Sequence, residues 1–279
     1  MQMEYRKLYD KGVLLLQEVQ IEEAALDARL LLEEICGTDR NDLLVHGDRL
    51  VTEEQYNCYV NYIDMRRRHI PLQHILGYQE FMGLKFKVTP DVLIPRQDTE
   101  TLVEEVMRNL HDGMHILDMC TGSGCILLSL LRYSNDCVGV GCDLSEKALK
   151  VARENAHELS LEAEFVQSDL FENVCGKYEI IVSNPPYIPS GEISTLMEEV
   201  KDHDPLLALD GREDGLYFYR EIIKKAGQYL HPGGMLFLEI GCSQAEDVCR
   251  YMKEADYKEV AVCKDLAGLD RVVSGVYGG

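Results

Sequence analysis

The residues with the most distinctive chemistry form the tetrapeptide Asn184-Pro185-Pro186-Tyr187, which directly follows an apolar run, Ile180 to Ser183, typical of a buried strand. Proline lacks an amide hydrogen, so we expect the strand to stop at this point. In a parallel sheet, strands end at the carboxyl edge, where such sheets bind ligands. The tetrapeptide is therefore predicted to lie at a ligand site.

Amide and exocyclic amine nitrogens are poor nucleophiles because their lone pair is delocalised, and the tetrapeptide offers two acceptors for such a nitrogen. The Asn184 side-chain oxygen and the Pro185 carbonyl could accept its two hydrogens and turn lone-pair density towards an electrophile. Tyr187 offers a ring face for the planar group. We predict Asn184, Pro185 and Tyr187 as catalytic residues and all four as substrate contacts. In the alternative interpretation, the prolines only end a strand and Asn184 caps a turn.

A glycine-containing loop, Cys120-Thr121-Gly122-Ser123-Gly124, lies between an apolar strand and an apolar helix, the context in which such loops bind cofactors. The dinucleotide fingerprint would require a third glycine at the position of Leu127, and no lysine follows as a P-loop requires. The loop therefore favours neither a nicotinamide nor a nucleoside triphosphate. We predict that all five of its residues bind the cofactor.

Carboxylates follow the next two predicted strands. Asp143 stands about twenty residues beyond the glycines, where it could accept hydrogen bonds from both ribose hydroxyls of an adenosine. Asp169 could receive the adenine amino group and Leu170 could cover the ring. These positions describe a pocket for adenosine without phosphates, so we predict S-adenosylmethionine as cofactor, S-adenosylhomocysteine as product, and Asn184 beside the methyl group. Alternatively, Asp143 caps a helix and Asp169 is a solvated turn residue.

The composition predicts an ordinary globular protein of 279 residues, of which 46% are hydrophobic. With 28 Lys and Arg against 49 Asp and Glu, the formal net charge of -21 disfavours nucleic acid and favours a basic protein partner. The 10 cysteines include no C-x-x-C pair, so we expect reduced thiols and no metal site. We see no secretory signal and no membrane span, and expect a cytoplasmic protein.

The spacing of the apolar residues changes twice along the chain. Residues 1–76 have helical spacing, with a helix end at Gly37 and a capping box that begins at Thr52. Residues 77–97 predict a β-hairpin linker around Gly83. Residues 98–279 alternate strand and helix and end in two strands without a helix, which predicts an α/β fold with a mostly parallel sheet and an antiparallel hairpin at its edge.

The chain resembles the protein-glutamine N5-methyltransferases that modify the Gly-Gly-Gln loop of peptide chain release factors. The resemblance covers nearly the whole length. The residues that carry it are Pro71 to Phe81, Ile94 to Glu100, the cofactor loop, Ser168 to Phe171, Asn184 to Tyr187, Asp214 to Leu216 and Asp265 to Arg271.

That resemblance implies a small helical domain that grips the release factor, a hairpin linker, and a Rossmann-like class I methyltransferase domain with seven strands. It also implies that the residues from Cys120 to Gly124 line the methionine end of the cofactor, that Asp143 holds ribose and that Asp169 and Leu170 lie by adenine. Asn184 and Pro185 would bind the glutamine amide of the release factor. We expect no direct contact with nucleic acid or membrane, and a monomer.

Cys120 and Gln97 depart from the family pattern, since many relatives carry glycine and proline there. A thiol at Cys120 would be tolerated if its backbone has negative φ. Arg96 is interpreted either as a substrate contact or as an ion-pair partner of Asp98 or Glu100, and His74 as a structural histidine. Two other functions stay open: a methyltransferase for adenine or cytosine amino groups, disfavoured by the negative charge, and an adenosine-binding regulator, which would not need the tetrapeptide.

Overall fold

The computed structural model describes residues 3–279, which divide into two compact units. The first extends to Gly77 and also includes the distant segment Glu198–His203. The second contains Tyr78–Met197 and Asp204–Gly279. A segment far along the chain thus joins the first unit, which the predicted boundary at residue 76 did not anticipate.

The first unit is mainly helical. Its helices are α1 (Tyr5–Glu18), α2 (Ala24–Cys36), α3 (Arg40–Val45), α4 (Glu53–Arg66), α5 (Leu72–Leu76) and the single turn Glu198–Lys201, beside a short antiparallel pair of β1 (Met3–Glu4) and β2 (Leu50–Val51). Gly37 ends α2 in the left-handed conformation, and the Thr52 side chain accepts a hydrogen bond from the Gln55 amide in a capping box. Both predicted signals are confirmed. His74 lies in α5.

Arg66 at the end of α4 is buried. Its guanidinium donates to Asp27 Oδ2 at 2.6 Å, to Glu199 Oε1 at 2.6 Å and to the Ile70 carbonyl at 3.2 Å. Burial raises the pKa of Asp27, and the hydrogen bond and charge of Arg66 oppose that shift. The segment that contains Glu199 is therefore held in the first unit by an ion pair between Glu199 and the buried Arg66 guanidinium.

The second unit begins with the predicted hairpin, in which β3 (Tyr78–Phe81) pairs antiparallel with β4 (Leu84–Lys87) across the turn Met82-Gly83. The hairpin takes up the first half of the predicted linker and turns at Gly83 as expected, and residues 88–92 are not a strand. A 3-10 turn, Gln97–Thr99, then leads into α6 (Glu100–Met107).

The main sheet of the second unit has seven strands. They are β5 (His115–Met119), β6 (Val138–Asp143), β7 (Glu164–Gln167), β8 (Tyr178–Ser183), β9 (Leu230–Glu239), β10 (Lys258–Lys264) and β11 (Asp270–Val276), in the order β10-β11-β9-β8-β5-β6-β7. The strands from β5 to β9 run parallel, and β11 is antiparallel to both of its neighbours. This arrangement confirms the predicted fold class and the hairpin at the sheet edge.

Helices cover both faces of this sheet, because alternate strand residues point to opposite sides. These helices are α6, α7 (Cys125–Tyr133), α8 (Glu146–Glu158), α10 (Tyr217–Ala226) and α11 (Ala245–Glu254), and the single turn α9 (Leu206–Leu209) lies at the rim of the sheet. Ile180 and Val182 pack in one core cluster with Leu102 of α6, whereas Ile181 packs in the other with Tyr219 of α10. With both faces buried, the open edge at the strand ends is left for a ligand.

Candidate active site

A cavity in the second unit opens at the carboxyl ends of the parallel strands. Its lining includes many of the predicted site residues, namely Cys120, Thr121, Gly122, Ser123, Asp143, Asp169, Leu170, Asn184 and Pro186. Gly124, Pro185 and Tyr187 do not line it. Three strand ends and the tetrapeptide, which are far apart in the chain, therefore meet in one place.

Asp143 fixes the backbone of the cofactor loop. Its Oδ2 accepts a hydrogen bond from the Gly122 amide at 2.9 Å, and its Oδ1 accepts one from the Ser145 amide at 2.9 Å. Burial raises the pKa of Asp143, while these amides oppose the shift. Ser145, not Asp143, is the N-cap of α8. Each carboxylate oxygen has a further lone pair, so Asp143 retains capacity to accept hydrogen bonds from a ligand.

Beneath the loop lies a second carboxyl group that sequence reasoning did not assign. Asp118 is fully buried, and its Oδ2 accepts a hydrogen bond from the Thr121 hydroxyl at 2.6 Å. Burial raises the pKa of Asp118 to about 7. This residue supports the loop from below and does not line the cavity.

Cys120 has a φ of 62°, so the condition of a negative φ, under which the thiol was expected to be tolerated, is not met. The left-handed region costs a residue with a Cβ roughly 1 to 2 kcal/mol, which is why glycine suits this position. The pKa of the thiol is raised well above its usual range by burial and by the charge of Asp143, so the thiol stays neutral. The chain tolerates the cysteine despite this backbone strain.

The space beside the Gly122 backbone allows a cofactor to approach this loop. Its φ is 55°, it lines the cavity, and a Cβ atom placed on it would meet nothing within 4 Å. The glycine thus leaves open space against its backbone, where a ligand can lie. Gly124, by contrast, is the N-cap of α7. The loop residues fit the close backbone approach that an adenosine-type cofactor requires.

The third strand end is shaped by Ser168. Its hydroxyl donates to the Leu170 carbonyl at 2.6 Å and accepts from the Asn173 amide at 2.9 Å. Leu170 adopts a φ of 48° and is only 8% exposed, whereas Asp169 is exposed. These bonds place an apolar side chain and a carboxylate side by side at the cavity.

The tetrapeptide is clamped by its surroundings. The Tyr187 carbonyl accepts a hydrogen bond from Gln244 Nε2 at 3.0 Å. A Cβ atom on Gly211 would lie 2.8 Å from Tyr187 Cα, and one on Gly215 would lie 2.4 Å from the Tyr187 carbonyl oxygen. Neither glycine can therefore be replaced without moving the backbone. Burial and the neighbouring Glu239 raise the pKa of Tyr187 above its usual range, so its hydroxyl keeps its proton.

Asn184 has two polar neighbours that sequence reasoning missed. Its Nδ2 donates to the Thr99 hydroxyl at 3.4 Å. The Glu239 carboxyl lies near both side chains, which oppose the rise in its pKa. Glu239 is 2% exposed, and burial raises its pKa to about 7, opposed by Thr99 and Arg271. The signal for Glu239 in the sequence was a glutamate directly after the apolar residues Met235 to Leu238.

The predicted pairing of Arg96 with Asp98 or Glu100 is wrong. Arg96 donates to Asp204 at 2.6 Å, whereas Asp98 lies 3.3 Å from Arg271. Glu100 instead accepts a hydrogen bond from the Met82 amide at 2.6 Å. Because Arg96 also lines the cavity, its interpretation as a substrate contact stays a prediction.

Two family models match the chain: the PrmC N-terminal domain over residues 7–77 and the methyltransferase small domain over residues 96–203. The release factor glutamine methyltransferase of Geobacter sulfurreducens is 39% identical over 274 residues, covering 98% of this chain and 96% of that protein. The enzyme of the same description from Bradyrhizobium diazoefficiens is 42% identical, covering 93% and 90%. The chain belongs to the release factor glutamine methyltransferase family.

Solved structures agree with this membership at the level of the fold. A methyltransferase from Pyrococcus furiosus matches 71% of this chain and 90% of its own, with a TM-score of 0.53 and 16% identity. A T. thermophilus 16S rRNA N2 G1207 methyltransferase, solved with AdoMet and guanosine, matches 71% of this chain and 49% of its own, with a TM-score of 0.53 and 18% identity. Among the described residues, no helix is long and apolar enough to cross a membrane.

Proposed function

We propose that this chain transfers a methyl group from S-adenosylmethionine to the side-chain amide nitrogen of the glutamine in the Gly-Gly-Gln motif of a peptide chain release factor. The observation that carries the proposal is the position of Asn184, whose carboxamide borders the cavity that the cofactor loop also lines. The resemblance to release factor glutamine methyltransferases over nearly the whole chain supports the same substrate.

S-adenosylmethionine supplies a methyl group on a positively charged sulfur. Asp143 would hold its ribose, Asp169 and Leu170 would contact adenine, and the residues from Cys120 to Gly124 would surround its methionine end. The Asn184 side-chain oxygen and the Pro185 carbonyl would accept the two amide hydrogens of the glutamine. The nitrogen plane would then be fixed with its lone pair towards the methyl group, and positioning would supply most of the catalysis.

The remaining members of the tetrapeptide would complete the substrate site. Pro186 lines the cavity and would contact the glutamine side chain. Tyr187 stands beside the cavity without lining it, so ring packing against the planar group is proposed for the substrate-bound enzyme. No strong base is needed, because the amide nitrogen becomes acidic once it has gained the methyl group.

We also propose that the protein acts in the cytoplasm as a monomer and does not bind nucleic acid directly. The formal net charge of -21 supports this proposal, because it repels phosphate backbones. The negative charge would favour binding to basic surfaces on the protein partner.

A labelled-methyl assay that offers recombinant release factor, double-stranded DNA and ribosomal RNA in parallel tests the function. We expect label in the release factor, at the glutamine of its Gly-Gly-Gln motif, as located by mass spectrometry. Label in nucleic acid only would contradict the proposal, and the same assay with a release factor carrying Gln→Ala at that position is the matched control.

A further inference from the structure

The Asn184 carboxamide has two ends that are almost equal in shape but opposite in chemistry. Only the oxygen end can accept a hydrogen from a substrate amide, since the nitrogen end carries two donors. A carboxamide turned the other way would present donors to a donor. Some neighbour must therefore select one orientation.

Thr99 is not sufficient for this selection. It is 3% exposed, lines the cavity, and accepts from Asn184 Nδ2 at 3.4 Å. A hydroxyl can both donate and accept, so it would suit either end of the carboxamide. The direction must come from a group that can only accept.

Glu239 is an accept-only group that lies beside both residues. It ends β9, next to the end of β8 that Asn184 follows, and is 2% exposed, and the side chains of Thr99 and Asn184 oppose the rise in the pKa of its carboxyl. Its Oε2 atom has no hydrogen-bond partner among the residues that the structure describes. Leaving a buried carboxyl oxygen unsatisfied costs stability, so a glutamate at this position is better explained by function than by stability.

We propose that Glu239 is a positioning residue that sets the orientation of the Asn184 carboxamide, directly and through the Thr99 hydroxyl. Once ionised, the carboxylate can only accept hydrogens from these two side chains. The Thr99 oxygen then accepts from Asn184 Nδ2, and the Asn184 oxygen is left for the substrate nitrogen. The inference rests on the proposed function, because it matters only if Asn184 accepts a hydrogen from an amide.

The protonation state of Glu239 gives this role a measurable signature. Burial raises its pKa to about 7, so the accept-only carboxylate forms as the pH rises through neutrality. The charged and titratable groups that face it are Arg271, Asp98, Tyr187, Tyr219 and Cys125. The Tyr187, Tyr219 and Cys125 side chains have raised pKa values, so these groups keep their protons near pH 7.

The decisive variant is Glu239→Gln, which keeps the shape but adds a donor. We expect kcat for release factor methylation to fall by about 10- to 100-fold, on the scale for a misoriented catalytic group, with an unchanged Kd for S-adenosylmethionine. The wild-type kcat should rise as the pH increases through about 7. The kcat of Glu239→Gln should not show this rise. Thr99→Val should also lower kcat, which provides a second test if Glu239→Gln folds poorly.

The matched control is Glu179→Gln, at the opposite end of the neighbouring strand β8, where the glutamate contacts His115 and His231. It should leave kcat and its pH profile unchanged. A wild-type kcat and pH profile in Glu239→Gln would overturn the inference, as would a loss confined to cofactor affinity. Failure of the wild-type chain itself to label the release factor would instead overturn the proposed function, and this inference with it.

Discussion

The Asp143 carboxylate accepts a hydrogen bond from the Gly122 amide at 2.9 Å, joining the ends of two neighbouring strands. This one side chain therefore shapes the cofactor loop and, in the proposed function, holds ribose. We expect Asp143→Ala to lower the affinity for S-adenosylmethionine by about 10- to 100-fold, the worth of hydrogen bonds to a charged group. Isothermal titration calorimetry measures this change. Glu146→Ala, on the exposed face of α8, should bind normally, and normal binding by Asp143→Ala would contradict the ribose assignment.

Replacing Asn184 should lower turnover without changing the affinity for the cofactor. In Asn184→Ala, we expect turnover to fall by about two orders of magnitude, because a positioned polar group is lost, while the Kd for S-adenosylmethionine stays unchanged. Single-turnover methylation of a release factor, together with calorimetry, measures the two quantities. Asn135→Ala removes a surface asparagine that contacts Asp112 and should leave both unchanged. A parallel loss of cofactor affinity would show that Asn184 serves the cofactor.

The left-handed backbone of Cys120 predicts an effect on stability. Because glycine adopts a φ of 62° without strain, Cys120→Gly should be more stable than Cys120→Ala by about 1 kcal/mol. The alanine variant is the matched control, since it also removes the thiol but keeps the Cβ. Urea unfolding of both variants gives the difference directly. Equal stabilities would mean that the local backbone carries no strain.

The raised pKa of the buried Asp118 predicts that the free energy of unfolding depends on pH. Its pKa of about 7 lies above the unfolded value, so the folded state binds the proton more tightly and unfolding becomes easier as the pH rises from about 4 to 7. We expect Asp118→Asn, which cannot ionise, to lose less stability over this range, by up to about 4 kcal/mol. Thermal melts of both proteins at pH 5 and pH 8 test this. Parallel pH dependences would contradict the assignment to Asp118.

Replacing the buried Arg66, which lies outside the active site, should cause a large loss of stability. Arg66→Ala leaves the buried Asp27 carboxylate unpaired, and breaking a buried pair on one side costs about 3 to 5 kcal/mol. Arg68→Ala, which removes an exposed pair with Asp64, should cost less than about 1 kcal/mol. Denaturant unfolding compares the two variants, and similar losses would show that the Arg66 pair contributes little.

The local elements and the chemistry of the site could be predicted from sequence because they depend on neighbours in the chain. The helix end at Gly37 and the capping box at Thr52 depend on backbone groups a few residues away. The Cys120 to Gly124 loop and the tetrapeptide from Asn184 could be placed because both follow buried strands, whose ends meet at one edge of a parallel sheet.

Tertiary structure decided which distant side chains complete the site, because burial and pairing depend on packing. Thr99 and Glu239 come close to Asn184 only when the chain folds, and burial is the main cause that raises the pKa of Glu239 to about 7. Arg96 pairs with Asp204, not with the acidic residues beside it in the chain. The tetrapeptide by itself indicates that a planar nitrogen is held; the packing beneath it indicates how its asparagine is oriented.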